Sequence, residues 1–267
     1  MRFASVTKQQ TRSALRKVFL AAATILILLN LSEVKGQGQV TNLPKYDHAP
    51  YHFGFTVGLN QMLFTVKPAA DLNTRIFTAD QTPEIYVDSS MLLGVSSDPT
   101  FGFIIGINGD MRLGRYFNLR FTPDLSFGER YLDYSILGFR GDSSIIVDVR
   151  KNVGSVYIDM PFYIKYRSKR QNNKAAYVLA GGQYSLDIAS NARKRDLGGQ
   201  VVVKLDKHDI YALVGVGFDF YNPWFKMGVE LRMAYGLFNM LKPDNTIYTQ
   251  GIRELDSKVF QLCFTFE

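Results

Sequence analysis

Of the side chains that most often do chemistry, this sequence has three histidines, His48, His52 and His208, and one cysteine, Cys263. A nucleophile needs a base within hydrogen-bond reach and a third group to orient that base. No such arrangement is written locally, and no G-x-S-x-G occurs. Gly141-Asp142-Ser143-Ser144 carries the opening letters of a GDSL-type hydrolase, but no Asp-x-x-His follows, so it reads as a turn. His48 and His52 have a spacing that brings two imidazoles together only on a helix, and Pro50 between them opposes one. Arg140-Gly141-Asp142 spells an adhesion tripeptide, a motif short enough to arise by chance. Accordingly no catalytic residue, metal site or cofactor is expected, and no small-molecule substrate is evident.

The informative chemistry lies instead in how charged residues alternate with apolar ones. In residues 156–167, VYIDMPFYIKYR, the apolar Val156, Ile158, Met160, Phe162 and Ile164 are separated by Tyr157, Asp159, Pro161, Tyr163 and Lys165. A period of two is that of an extended strand with one greasy and one polar face. Seven further segments share it: Tyr51 to Leu59, Phe101 to Ile107, Phe117 to Phe127, Ala176 to Leu186, Ile210 to Phe220, Phe225 to Tyr235 and Phe260 to Phe266. Pro161 cannot donate to a ladder, so a bulge or break is expected there, with the ring on the polar side.

Two architectures fit such strands. A soluble sandwich buries the greasy face, whereas a membrane barrel turns it to lipid and keeps the polar face within. The polar faces here are rich in both glycine and charge, as a narrow lumen requires. Connections alternate in length: 114–116, 167–174 and 221–223 are short, while 67–98, 137–144, 189–207 and 238–254 are long. Aromatics gather at segment ends, among them Tyr51, Tyr116, Phe117, Tyr166, Tyr221, Trp224 and Phe225, as in interfacial girdles. The expected fold is therefore all-β, an eight-stranded antiparallel up-and-down transmembrane β-barrel over residues 51–267.

Residues 1–36 read as a secretory signal peptide, a basic start followed by the apolar run Val18 to Leu31. Residues 37–50 then form a periplasmic arm, with the short turns on the same side. The leader also distorts the charge. It holds six of the 31 Lys and Arg and one of the 24 Asp and Glu, leaving 25 against 23. A nucleic-acid partner inferred from the basic whole-chain balance would be an artefact of the leader; the expected surroundings are outer-membrane lipid.

Eight strands enclose an interior that side chains fill, so an open pore is not expected. The inward residues Arg120, Asp124, Asp159, Lys165, Asp219, Glu230 and Arg232 carry both signs and are expected to neutralise one another as a plug. That leaves partner contacts to the arm (Asn42, Leu43, Pro44 and Asp47) and to the apolar stretch Ile85, Tyr86 and Val87 in the 67–98 loop. That loop has two open fates: an exposed partner surface, or folding back on its own rim.

The opening of the barrel segment resembles a known family. Asn42-Leu43-Pro44-Lys45-Tyr46-Asp47, then His52-Phe53-Gly54-Phe55 and Gly58-Leu59-Asn60, are similar to the start of PorT-family proteins, outer-membrane barrels of Bacteroidetes. Leu113 to Arg120 and Ile158 to Lys165 resemble turns and strands of the wider family of small barrels from the same bacteria. The broad likeness runs over about residues 42–266, the specific one over 42–60. It implies a non-enzymatic accessory role in type IX protein secretion, with other secretion-system proteins as partners, and gliding motility in some species. A generic small barrel with a structural or surface-adhesive role is the alternative.

Overall fold

A computed structural model describes residues 41–189 and 203–267. The signal peptide expected over residues 1–36 lies outside the described residues, as does the start of the arm.

Most of the described residues lie in antiparallel sheet. Its strands are β1 (Tyr51–Pro68), β2 (Ile76–Thr78), β3 (Ser89–Asp98), β4 (Thr100–Arg112), β5 (Phe117–Phe121), β6 (Asp124–Arg140), β7 (Ser143–Arg167), β8 (Lys174–Asp187), β9 (His208–Tyr221), β10 (Lys226–Gly236) and β11 (Ile252–Phe266). β3 and β4 form one stave interrupted at Pro99, and β5 and β6 form another interrupted at Thr122 and Pro123. The sheet therefore closes through eight staves, each beside its neighbours in sequence. Closure is made by β1, which pairs with β4 on one side (Tyr51↔Met111 to Met62↔Thr100) and β11 on the other (Phe55↔Phe266 to Pro68↔Ile252). A ring with no free edge at this level leaves no backbone donor or acceptor facing lipid.

β7 shows how the strands divide the two solvents. Met160, Phe162, Ile164 and Tyr166 are exposed on the outer wall, while Tyr157, Asp159, Pro161, Tyr163 and Lys165 are buried inside. From Val156 to Tyr166 the greasy face runs about 33 Å along the strand; at a barrel tilt of about 40° this gives a belt about 25 Å tall. The same belt continues around the wall through Phe53, Phe103, Phe121, Val178, Val216 and Leu231.

Beyond the belt, towards the long-loop end, the polarity of the wall inverts. On β6 the outward side changes from Leu125 and Phe127 to Glu129, Asp133 and Ser135, while the inward side changes from Asp124 and Ser126 to Leu132, Tyr134 and Ile136. β7 repeats this with Asn152, Arg150 and Asp148 outside and Val153 and Val149 inside. β11 does so with Lys258 outside and Val259 and Leu255 inside. The barrel is thus two-storeyed: a membrane belt around a polar lumen, and above it a water-facing sheet around an apolar core. Phe64, Leu132, Tyr134, Met240, Tyr248 and Leu255 are buried in that core. The Tyr134 and Tyr248 rings meet edge-on at 5.1 Å, and the Tyr134 hydroxyl donates to the Tyr248 carbonyl at 3.1 Å.

The inversion corrects two expected loops. The long 137–144 connection is only a two-residue turn, because β6 runs to Arg140 and β7 starts at Ser143. Gly141 takes φ +54° there, which glycine does without steric cost at the first position of a hairpin turn. Likewise residues 89–98 of the 67–98 connection are strand, continuing the β4 stave. The break expected at Pro161 also moves. Pro161 stays in register with Gln183 of β8, and the ladder fails on the other side, at Thr122 and Pro123 of the facing stave. Proline on both sides removes donors that the pairing needs; what remains is Thr122 N–H donating to the Pro161 carbonyl at 3.2 Å.

Candidate functional site

Eight inward-facing charged residues of the belt storey form one cross-linked cluster. Arg120 on β5 is wholly buried and bridges three carboxylates: Asp110 at 2.6 Å, Glu230 at 2.8 Å and Glu267 at 2.6 Å. Glu230 also pairs with Arg232 and accepts from the Tyr177 hydroxyl at 2.7 Å. Lys165 reaches Asp219 at 2.7 Å, with its ammonium 3.6 Å from the centre of the Tyr177 ring. Lys226 pairs with Glu267 and lies 4.0 Å from Asp219. Four cations (Arg120, Lys165, Lys226, Arg232) thus face four carboxylates (Asp110, Asp219, Glu230, Glu267). Pairing and hydrogen bonding offset the cost of burying these charges. Space for it comes from inward glycines: a Cβ on Gly217 would sit 2.5 Å from the Tyr177 ring.

Five of the seven charges singled out in the sequence, Arg120, Lys165, Asp219, Glu230 and Arg232, therefore meet in ion pairs. Asp124 and Asp159 do not join them. They face each other across the β6–β7 register, and Asp159 accepts from the Ser185 hydroxyl instead. Three members escaped sequence reading, Asp110, Lys226 and Glu267. Asp110 and Lys226 lie on the inward phase of β4 and β10, Lys226 within an alternating segment already read, and Glu267 follows the last residue of β11 one step of two beyond Thr265.

Higher up, a lone Arg130 marks the junction of the storeys. Its guanidinium lies 4.1 Å from the centre of the Phe64 ring and donates to Ser155 and Ser257 at 2.8 Å each, and to the Tyr157 hydroxyl. Two of the three histidines are engaged elsewhere. His52 stacks on Tyr46 at 3.8 Å with Nε2 2.9 Å from the Tyr46 carbonyl, and His208 Nδ1 lies 2.6 Å from the Tyr184 hydroxyl.

Both sets of residues expected to meet partners fold largely onto the barrel itself. Asn42 is tied to the rim: its N–H donates to Asn173 at 2.9 Å and its amide to the Tyr221 carbonyl at 2.9 Å. Asp47 pairs with Arg167 and accepts from the Tyr221 hydroxyl at 2.9 Å, and Tyr46 donates to Glu267 at 2.6 Å. Leu43 is half-buried and only Pro44 of this group is exposed. In the loop, Ile85 packs on the upper core and Val87 is buried, whereas Tyr86 is 86% exposed beside the Arg140 guanidinium. Of the two fates left open for this loop, folding back on its own rim accounts for Ile85 and Val87.

The arm's anchor is pH-sensitive by construction. Burial pushes the Asp47 carboxyl up, but the hydrogen bond and charge of Arg167, with Tyr221 and Arg170, outweigh it and hold the group below the usual carboxylate range. A depressed folded pKa stabilises docking above the ordinary value of 3.8 and loses that contribution as pH falls through the depressed one. Amide exchange of Tyr46–His48, corrected for its intrinsic pH dependence, should rise below about pH 4 and should already be raised at pH 7 in Asp47→Asn. Exchange that stays flat in both would show that the carboxylate does not hold the arm.

Residues 37–242 match the family model described as outer membrane protein beta-barrel domain. The chain belongs to that family. No curated protein matches it. Among solved structures, neisserial surface protein A aligns with 13% identity and a TM-score of 0.39, covering 81% of this chain and 98% of that one. Ail, the attachment invasion locus protein of Yersinia pestis, solved with the heparin analogue sucrose octasulfate, aligns with 8% identity and a TM-score of 0.36, covering 82% and 99%. Membership places this barrel in the outer membrane.

Proposed function

We propose that this barrel is a non-enzymatic scaffold that works through protein contacts as an accessory component of type IX secretion, and of motility in species that glide. The interior supports this by what it contains: a charge-balanced cluster below and an apolar core above, which leaves the work to the surface. One observation carries the contact reading. β8 pairs with β7 only from Tyr157 downward, so along Ser143–Val149 the upper sheet ends in an edge without a ladder partner among the described residues. Such an edge can add a strand from another chain, and Ile145 and Ile146 are exposed along it. The assignment to type IX secretion rests on the PorT-like residues 42–60. In this reading the short turns and the docked arm face the periplasm, and the two-storey sheet faces outward.

A second reading, a structural or surface-adhesive barrel, has its own observation: Arg140-Gly141-Asp142 sits at the tip of the β6–β7 hairpin, at the far end of the upper storey. A clean deletion, with and without the gene restored, separates the two. Loss from the medium of proteins bearing the C-terminal secretion signal, with their accumulation in the periplasm, is the expected result. An unchanged secreted proteome would leave the adhesive reading.

A further inference from the structure

Among the described residues, the short-turn end of the barrel carries a surplus of cations. At the short-turn end every carboxylate among the described residues is already engaged or buried: Asp47 by Arg167 and Arg170, Asp219 by Lys165, and Asp110, Glu230 and Glu267 in the cluster around Arg120. Lys45, Arg112, Arg115, Lys169 and Lys174 stand on the same rim with no carboxylate within ion-pair distance among the described residues, and all but Arg112 are exposed. They share one arc. The β4–β5 turn carrying Arg112 and Arg115 adjoins the β7–β8 turn carrying Lys169 and Lys174, since Arg167 N–H donates to the Tyr116 carbonyl at 2.9 Å. The arm segment bearing Lys45 is tied to the β7–β8 turn through Asn42 and Asn173.

Those cations are interleaved with a girdle of aromatic and apolar side chains. Trp224 is 86% exposed, Tyr51, Leu113, Phe117 and Tyr166 are exposed, and the Arg115 guanidinium lies 5.4 Å from the Tyr116 ring centre. Exposed indole and phenol rings at a belt edge sit at headgroup depth. The surplus charge is therefore held level with lipid phosphates, at the membrane boundary, and a protein partner would have no need of the girdle.

We propose that this arc is a binding shelf for anionic phospholipid headgroups, a phosphodiester site spread over two turns and the docked arm. It requires only that the barrel sits in a membrane and is independent of the secretion reading. In the orientation given above, the shelf selects lipid from the periplasmic leaflet.

Trp224 is the only tryptophan in the sequence and lies on the same rim, which makes it the probe. The mature, folded barrel is placed in phosphatidylcholine vesicles containing a small, equal mole fraction of either phosphatidylglycerol or phosphatidylcholine brominated near the headgroup. The shelf predicts Trp224 quenching by the phosphatidylglycerol corresponding to about a 5-fold local enrichment, the effect of one well-placed cation, falling towards one in molar salt. Substituting Lys45, Arg112, Arg115, Lys169 and Lys174 by Gln together should abolish the preference. If that variant does not fold, Lys169→Gln with Lys174→Gln should still reduce it. Equal quenching by the two lipids in the wild type overturns the proposal, as does a preference that survives the substitutions. An acidic protein retained by the rim without lipid preference would reassign the arc to that protein.

Discussion

Replacing Arg120 by Met should destabilise the folded barrel by about 3–5 kcal/mol, the range for removing one partner from a buried ion pair. Three carboxylates lose their shared cation at once, and Asp110 has no other ion-pair partner among the described residues. The cost comes from the carboxylates left behind, more than from the lost attraction. Adding Asp110→Asn to Arg120→Met should therefore recover a substantial part of the loss, since three cations then face three carboxylates. Urea midpoints of the folded barrel in lipid vesicles measure both. Equal midpoints for the single and double variants would mean that packing around Arg120, not charge balance, sets the stability of the lumen.

The second large effect depends on depth. Met160 lies on the outer wall near the middle of the belt, and Ser135 lies on the outer wall of the same sheet above the inversion. Arginine facing lipid at a bilayer midplane costs about 2–4 kcal/mol, and near an interface about 0–1. Met160→Arg should therefore cost about 2–4 kcal/mol, and Ser135→Arg close to nothing. Two equally large costs would place Ser135 within the hydrocarbon and move the boundary upward.

The strands and their facing were legible because a period of two with glycine and charge on one phase has few solutions. All eight alternating segments coincide with staves. What could not be read was everything above the belt, for a definite reason. Greasy residues hold the lipid phase only within the belt, and at Glu129 on β6 and Asn152 on β7 they cross to the other phase. A strand that inverts its polarity has no continuous greasy face and so reads as a loop, as Ser89–Asp98 and the β6–β7 hairpin do. The lumen was half legible. Phase alone places Arg120, Lys165, Asp219, Glu230 and Arg232 inward, but it says nothing of height along the barrel axis, so Asp124 and Asp159 were grouped with charges they do not touch. Docking of the arm was not legible at all. Asn42, Tyr46 and Asp47 bond to Asn173, Glu267 and Arg167, residues more than a hundred positions away that barrel closure alone brings near.

Cysteine labelling tests the boundary between the two storeys most directly. With buried Cys263 replaced by Ser, single cysteines would be placed along the outer face of β7 at residues 146, 148, 150, 152, 156, 158, 160, 162 and 164. Intact cells would then be treated with a membrane-impermeant maleimide. Labelling at 146–152 with none at 156–164 is the expected result. Uniform labelling along the strand, or none above 156, would contradict a lipid belt capped by an external storey.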